Sequence, residues 1–343
     1  SGMTHAQLLW WKSSIYSDLD DYTQSLAYLQ EALKFGKKQC PNLLEDMLEG
    51  LAQLYYNMED YDSSDKVYRE LMKLDEASLL PKVGLARNMN AREEFDKALE
   101  ILNDCLKYDK DYYEVYRFMS AAYEGKKEYK KMIDAMLTLY DKKGDSDYIS
   151  IKRLKKDKRY AVAVLKERIA SEKDNALWRL VLASLYEKCY MYSEALPILN
   201  GLIEEYGFDE DLLDERANCY EEMGMTELAL ADINKAMDMS PEKNKAYFYM
   251  RRANTLRYDG QYDAAIEDMS KYVDRYPTDA YGYYARGWCK ELSGDFTGAM
   301  ADYNDFGTAP KVEAADYDGV TLTPDGCRIV MKPCSVVHVA LLP

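Results

Sequence analysis

The chain has almost no histidine and none of the short motifs on which common catalytic sites are built. Only His5 and His338 occur among the 343 residues, and both lie near the ends. Because general-base and zinc sites commonly use histidine, the body of the chain is not expected to hold either. The sequence also lacks GxSxG, GxxxxGK(S/T), HExxH, and a GxGxxG that follows a strand. We therefore predict a protein that is not an enzyme and that carries no cofactor.

Long apolar runs and cysteine motifs are also missing. No stretch approaches the roughly 18 apolar residues of a membrane span, and no secretory signal is visible. The seven cysteines are odd in number and scattered, without CxxC spacing. They are interpreted as small buried hydrophobes in a reducing compartment rather than as a disulfide framework. We expect a cytoplasmic protein, the alternative being a chain from which an N-terminal signal has been removed.

The last residues contain the sole grouping of metal-ligand types. Cys327, Cys334 and His338 form a C-x6-C-x3-H arrangement. This set lacks a fourth ligand and the spacing of known zinc sites. No metal is therefore predicted.

Positive charge is scarce relative to negative charge. The chain has 45 Lys and Arg against 61 Asp and Glu, a net charge of −16. This balance disfavours nucleic acid, whose phosphates would be repelled, and favours solubility and basic partners. The exception is a run of six basic residues between Lys152 and Arg159. It is either a solvated turn of a shortened repeat, a patch for an acidic peptide, or a bend between two halves of the chain.

A repeated pair of amphipathic helices dominates the rest of the sequence. The clearest copy covers 246–279, where Gly260 favours the turn between the helices and Pro277 ends the second helix. Turn glycines recur at Gly224, Gly260 and Gly294, which are 36 and 34 residues apart. A period of this length indicates a helical-repeat solenoid.

One position in each second helix can be followed through the whole chain, and it usually holds a small residue that lets two helices approach closely. These positions are Ser25, Ser64, Ala98, Met132, Ala163, Ala195, Ala229, Ala265 and Ala299.

The repeats resemble the tetratricopeptide repeat family. The copy at 210–243 carries the family's residue types in order, at Leu213, Ala217, Tyr220, Gly224, Ala229, Ala236 and Pro241. The resemblance covers residues 6 to 310 approximately. It implies an all-α fold, a right-handed superhelix of about nine helix hairpins with a concave groove. It also implies protein–protein recognition rather than catalysis.

The predicted domain organisation follows from this resemblance. Residues 4–309 form the solenoid, and the degenerate repeat near 141–175 is a candidate boundary between two halves. Residues 310–343 form a tail outside the repeats. In it, Pro324-Asp325-Gly326 lies between two short β-prone segments, which favours a β-hairpin, the alternative being disorder.

Three successive repeats replace a pair of apolar residues with a pair of opposite charges. Other repeats have pairs such as Leu51 with Val67. A half-buried arginine needs a carboxylate partner, so we predict structural ion pairs between the two helices. The pairs are Arg216 with Asp232, Arg252 with Asp268, and Arg286 with Asp302. The alternative is a row of ligand-binding arginines.

Aromatic residues mark the predicted partner-binding site. By the family's geometry, the concave groove near the last two repeats is lined by Tyr247, Met250, Asn254, Arg257, Tyr281, Tyr284 and Trp288. Aromatic anchors near an arginine often supply most of the binding free energy of an interface. We predict that a peptide or helix of a partner protein binds here; packing between repeats is the structural alternative.

Two other ligand modes were considered for the same groove. The Tyr and Trp cluster would also suit stacking against a small molecule or a glycan. The family's carboxylate clamp for chaperone C-termini is disfavoured. Asn218 and Asn254 would fit it, but Asp214 stands at a lysine position, and Tyr281 and Ala285 stand at the last pair of positions.

Overall fold

The computed structural model describes residues 3–172 and 175–304, together with two short strands near the C-terminus. In these residues the chain forms successive helix pairs, each with a first and a second helix. The helices are α1 His5–Asp18, α2 Tyr22–Gln39, α3 Leu44–Asn57, α4 Tyr61–Leu74, α5 Leu80–Ala91, α6 Phe95–Tyr108, α7 Glu114–Gly125, α8 Tyr129–Lys143, α9 Ile151–Leu154, α10 Lys158–Ser171, α11 Ala176–Lys188, α12 Tyr192–Tyr206, α13 Glu210–Glu222, α14 Thr226–Met239, α15 Lys245–Tyr258, α16 Tyr262–Arg275, α17 Ala280–Ser293 and α18 Phe296–Asn304. The predicted all-α class is confirmed.

The turn inside each regular pair is made by one residue with a left-handed backbone. In every case this residue lies two positions before the second helix, with φ between 58° and 91°. These residues are Asp20, Glu59, Glu93, Lys127, Tyr190, Gly224, Gly260 and Gly294. Glycine takes this conformation at little cost, whereas another residue loses about 1 kcal/mol. The turn geometry is therefore kept even where the sequence does not favour it.

The chain divides into two compact units, one ending at Val164 and one beginning at Leu165. In the first unit, each of α3, α5 and α7 packs against its own second helix and against the second helix of the preceding pair. Leu29, Met47 and Leu54 are buried in one core cluster of this unit, and Leu102 and Val115 in the next.

The second unit repeats the arrangement with α13, α15 and α17. Its core clusters include Leu213, Ile233 and Phe248, and then Leu256 and Met269. A fully buried small residue, such as Ala229 or Ala265, recurs in the second helices.

The predicted position of the small residue in the fifth repeat is wrong. Ala163 is exposed, and Ala161 is fully buried instead. In the other pairs the buried position lies three residues after the start of the second helix, and α10 begins at Lys158. The first helix of this repeat is reduced to the single turn of α9, so the repeat is shorter than the sequence pattern assumed.

Two strands lie in the tail. β1 Val320–Leu322 and β2 Ile329–Met331 pair antiparallel, with Val320 opposite Met331. The turn proposed at Pro324-Asp325-Gly326 and the set Cys327, Cys334 and His338 lie outside the described residues. Among the helices of the described ranges, none is long and apolar enough to cross a lipid bilayer.

Candidate partner-binding site

Three arginines of the first helices each bind an aspartate of the following second helix through two hydrogen bonds. The Nε and Nη2 groups of Arg216 donate to Asp232 at 2.7 Å each. The same two groups of Arg286 donate to Asp302 at 3.0 and 2.6 Å. Arg252 and Asp268 are joined in the same way. Hydrogen bonding to the carboxylate raises the pKa of each arginine, so these residues are engaged within the fold.

The same arginines also reach the preceding repeat, which sequence reasoning missed. The Nη1 group of Arg216 donates to Asn200 at 2.8 Å, and that of Arg252 donates to Asn234 at 2.5 Å. Arg286 lies 3.5 Å from the hydroxyl of Ser270. Each acceptor is two residues after the ion-pair position of its own second helix. A search for polar residues at that offset would have found them.

The predicted binding residues Tyr247 and Tyr281 lie on neighbouring first helices and are exposed to solvent. They are 44% and 42% exposed. The hydroxyl of Tyr247 donates to Asp214 on α13, and burial with this carboxylate raises its pKa to about 12. The side-chain amide of Asn254 donates to the hydroxyl of Tyr281 at 3.4 Å. These hydrogen bonds connect α13, α15 and α17 along one face.

Met250, by contrast, packs into the fold. It lies against the core cluster that contains Ala253, Met269 and Ala285. Its thioether therefore contributes to the packing of α15 rather than to an exposed surface.

Arg257 and Trp288 form the most closely packed part of the predicted site. The guanidinium carbon of Arg257 lies 3.9 Å from the centroid of the Trp288 ring and 4.3 Å from that of Tyr258. The ring of Tyr284 is 6.0 Å from Trp288 and 6.4 Å from Tyr303. Arg257 itself is only 8% exposed. The structure thus brings Arg257, Tyr284 and Trp288 together, with the arginine largely enclosed.

Comparison with known families agrees with the helix pairs. Family models of the tetratricopeptide repeat match residues 250–311 and residues 6–35, 46–78 and 211–243. The chain belongs to the tetratricopeptide repeat family. A search of curated proteins gave no significant match.

Several solved structures of tetratricopeptide repeat proteins are similar to the chain. A repeat protein from Parabacteroides merdae is 20% identical, with a TM-score of 0.36, and the match covers 86% of this chain and 98% of that one. YrrB, described as having an unusual peptide-binding site, is 16% identical with a TM-score of 0.31, over 64% and 97% of the two chains. MamA is 17% identical with a TM-score of 0.39, over 46% and 93%. The family assignment depends on the sequence matches and the helix pairs.

An ion-pair network within the tetratricopeptide repeats lies beside the predicted site and was not anticipated. The Nε group of Arg251 donates to Asp214 at 2.9 Å, and its Nη1 group donates to Glu221 at 2.6 Å. The hydroxyl of Thr255 donates to the same glutamate. Because Asp214 also holds Tyr247, this network fixes the orientation of the exposed tyrosine.

A second acidic cluster lies where α11 meets α13. The thiol of Cys219 donates to Glu187 at 3.2 Å, and the hydroxyl of Ser184 lies 3.4 Å from Glu215. Burial and the nearby charge of Glu187 raise the pKa of Glu215 to about 7. The cluster is a half-buried pair of carboxyl groups that favours one bound proton near neutral pH.

The basic run from Lys152 to Arg159 is mostly exposed, on α9 and the start of α10. Its exception is Arg153, whose Nε group lies 2.9 Å from Glu124. The structure thus leaves open the predicted solvated turn and the predicted patch for an acidic peptide.

Proposed function

We propose that the chain is a non-enzymatic interaction scaffold that binds a segment of a partner protein, a peptide or a helix, against the first helices α13, α15 and α17. The observation that carries the proposal is the pair of exposed tyrosines, Tyr247 and Tyr281, on two adjacent first helices. They lie beside Trp288 and Tyr284, which are half-buried. Together these side chains give an aromatic surface with hydroxyl groups at its edge.

The way the tyrosines are held supports binding. Tyr247 is hydrogen-bonded to Asp214, and Tyr281 is hydrogen-bonded to Asn254. A ring that is already fixed loses little conformational entropy when a partner covers it. Aromatic side chains of this kind commonly supply a large share of the binding free energy.

The alternative ligand, a small molecule or a glycan, has less support. A shallow cavity of about 220 Å³ lies between α15 and α16, lined by residues that include Glu242, Tyr249, Lys271 and Arg275. None of the predicted aromatic site residues lines this cavity. A surface without enclosure favours an extended segment over a small ligand.

The cytoplasm is the compartment we propose for this interaction. Cys40, Cys105, Cys219 and Cys289 are free and buried. Buried thiols that do not pair suit a reducing compartment.

Selection from a phage-displayed library of random dodecapeptides tests the proposal. Enriched peptides are synthesised, and their affinities for the wild type, Tyr281→Ala and Tyr108→Ala are measured by fluorescence anisotropy. Tyr108 is the matched control, because it is an exposed tyrosine of the first unit. We expect Tyr281→Ala to weaken binding at least about tenfold and Tyr108→Ala to leave it unchanged. A library without any binder that depends on Tyr281 would contradict the proposal.

A further inference from the structure

Arg257 differs from the other enclosed arginines of the second unit. Arg216, Arg251, Arg252 and Arg286 each bind a carboxylate. Arg257 is 8% exposed, yet within the described part of the chain it has neither an ion pair nor a hydrogen bond. A cation that is this enclosed is normally neutralised by a partner.

Its guanidinium group is held by stacking instead. The rings of Trp288 and Tyr258 lie 3.9 and 4.3 Å from its central carbon. Contacts of this kind use the faces of the guanidinium plane and leave the N–H groups at its edge available. These nitrogens are not among the buried polar atoms that are sealed from solvent without a partner. The edge of Arg257 is therefore fixed in position and accessible.

The acidic residues at the matching positions of the adjacent repeats are already occupied. Glu221, 36 residues before Arg257, binds Arg251 and Thr255. Glu291, 34 residues after it, accepts a hydrogen bond from Tyr303 at 2.9 Å. Neither is in ion-pair contact with Arg257 in the described residues. The positive charge of Arg257 thus remains unpaired within the fold.

We propose that Arg257 binds a carboxylate of the partner segment, with a neighbouring apolar or aromatic side chain of that segment against Tyr284 and Trp288. This inference rests on the proposed function and names the chemistry of the partner. A guanidinium edge presents two parallel N–H donors, which match the two oxygens of a carboxylate. The carboxylate belongs either to an Asp or Glu side chain or to the C-terminus of the partner.

The net charge of −16 does not oppose such a contact at short range. Repulsion between distant exposed charges is largely screened beyond about 8 Å at physiological salt. A hydrogen-bonded pair at an enclosed site is screened much less. The acidic surface slows association, and the local pair determines which segment stays bound.

The first test uses two small probes, N-acetylphenylalanine and its neutral amide. The Nε–Hε resonance of Arg257 is followed by NMR and assigned by its loss in Arg257→Met. Methionine keeps an unbranched apolar side chain beside Trp288 but removes every donor. We expect the carboxylate to shift this resonance in a saturable way and the amide to leave it unchanged. Equal shifts with both probes, or no shift with either, would overturn the inference.

The second test uses the peptides selected against the wild type. Each Asp or Glu is replaced by Asn or Gln, and the C-terminus is made as an acid and as an amide, which separates the two sources. We expect the loss of one carboxylate to weaken binding to the wild type at least tenfold and to have no effect on Arg257→Met. Arg275→Met, at an exposed arginine of α16, is the matched control.

The outcomes separate the two proposals. Peptides that require Tyr281 but bind Arg257→Met as tightly as the wild type overturn this inference and leave the proposed function in place. A library without Tyr281-dependent binders overturns the proposed function and this inference together.

Discussion

Arg252 and Asp268 face each other edge to edge across the eighth helix pair. The Nε group donates to Oδ2 at 2.7 Å and the Nη2 group donates to Oδ1 at 2.8 Å. The aspartate side chain is only 3% exposed. In the first unit the corresponding positions hold Leu51 and Val67, both buried. The fold therefore accepts either an apolar pair or a charged pair at this place.

Removing one member of this pair is expected to be far more damaging than replacing both. Asp268→Val leaves Arg252 without its carboxylate and should cost about 3 kcal/mol of folding free energy. The double variant Arg252→Leu with Asp268→Val restores an apolar pair and should lie within about 1 kcal/mol of the wild type. Because repeat arrays need not unfold in one step, we would measure hydrogen exchange of the amides in α15 and α16. A double variant as unstable as Asp268→Val would contradict this account.

Two helical glycines should respond in opposite directions to the same substitution. A Cβ atom at Gly84 would overlap the ring of Tyr68, which is buried and whose hydroxyl accepts a hydrogen bond from Arg87. Gly84→Ala should therefore destabilise the protein by about 1–3 kcal/mol. Nothing lies within 4 Å of a Cβ at Gly201 in α12. Gly201→Ala should stabilise by about 0.5–1 kcal/mol, since alanine favours a helix over glycine. The midpoints of urea unfolding of the two variants give the comparison, and shifts of the same sign would argue against the packing described.

Glu215 should make stability fall as pH rises towards neutrality. Its pKa is raised from the usual 4.5 to about 7 by burial and by Glu187. The folded state therefore keeps a proton that the unfolded state has already lost. The contribution is fully present below pH 4.5 and is lost as the pH rises through about 7. It amounts to at most about 3 kcal/mol.

Stability measured from pH 4 to pH 8 tests this dependence. Glu215→Gln should flatten the fall, because it removes the titrating group. Glu227→Gln, at an exposed position of α14, serves as the control and should keep the wild-type slope. Equal slopes for Glu215→Gln and the wild type would show that Glu215 does not titrate in this range.

The regular repeats could be predicted because each depends on residues close together in sequence. The buried positions of Ala98, Ala195 and Ala265 follow from the spacing of small residues. Ala163 failed because the periodic pattern contains no signal for a first helix as short as α9. The turns at Glu93 and Tyr190 could not be found from glycine, since both adopt positive φ with ordinary side chains. The tertiary packing of the pairs outweighs that local preference.

The site could be located from the sequence but its contacts could not. The period placed the aromatic residues on neighbouring first helices. The link from Arg251 to Asp214 spans 37 residues and depends on how α13 and α15 are rotated against each other. The enclosure of Arg257 likewise depends on Trp288 in the next repeat. Periodicity gives the face of a helix and not the partner of each side chain.

Site-specific photo-crosslinking tests the central claim most directly. The photoreactive residue p-benzoylphenylalanine replaces Tyr281 in one variant and Tyr108 in another, both expressed in the source cells. The account predicts covalent adducts with a discrete partner polypeptide from position 281, reduced by Tyr284→Ala with Trp288→Ala, and no such adducts from position 108. Absence of adducts at 281, or the same adducts from both positions, would contradict it.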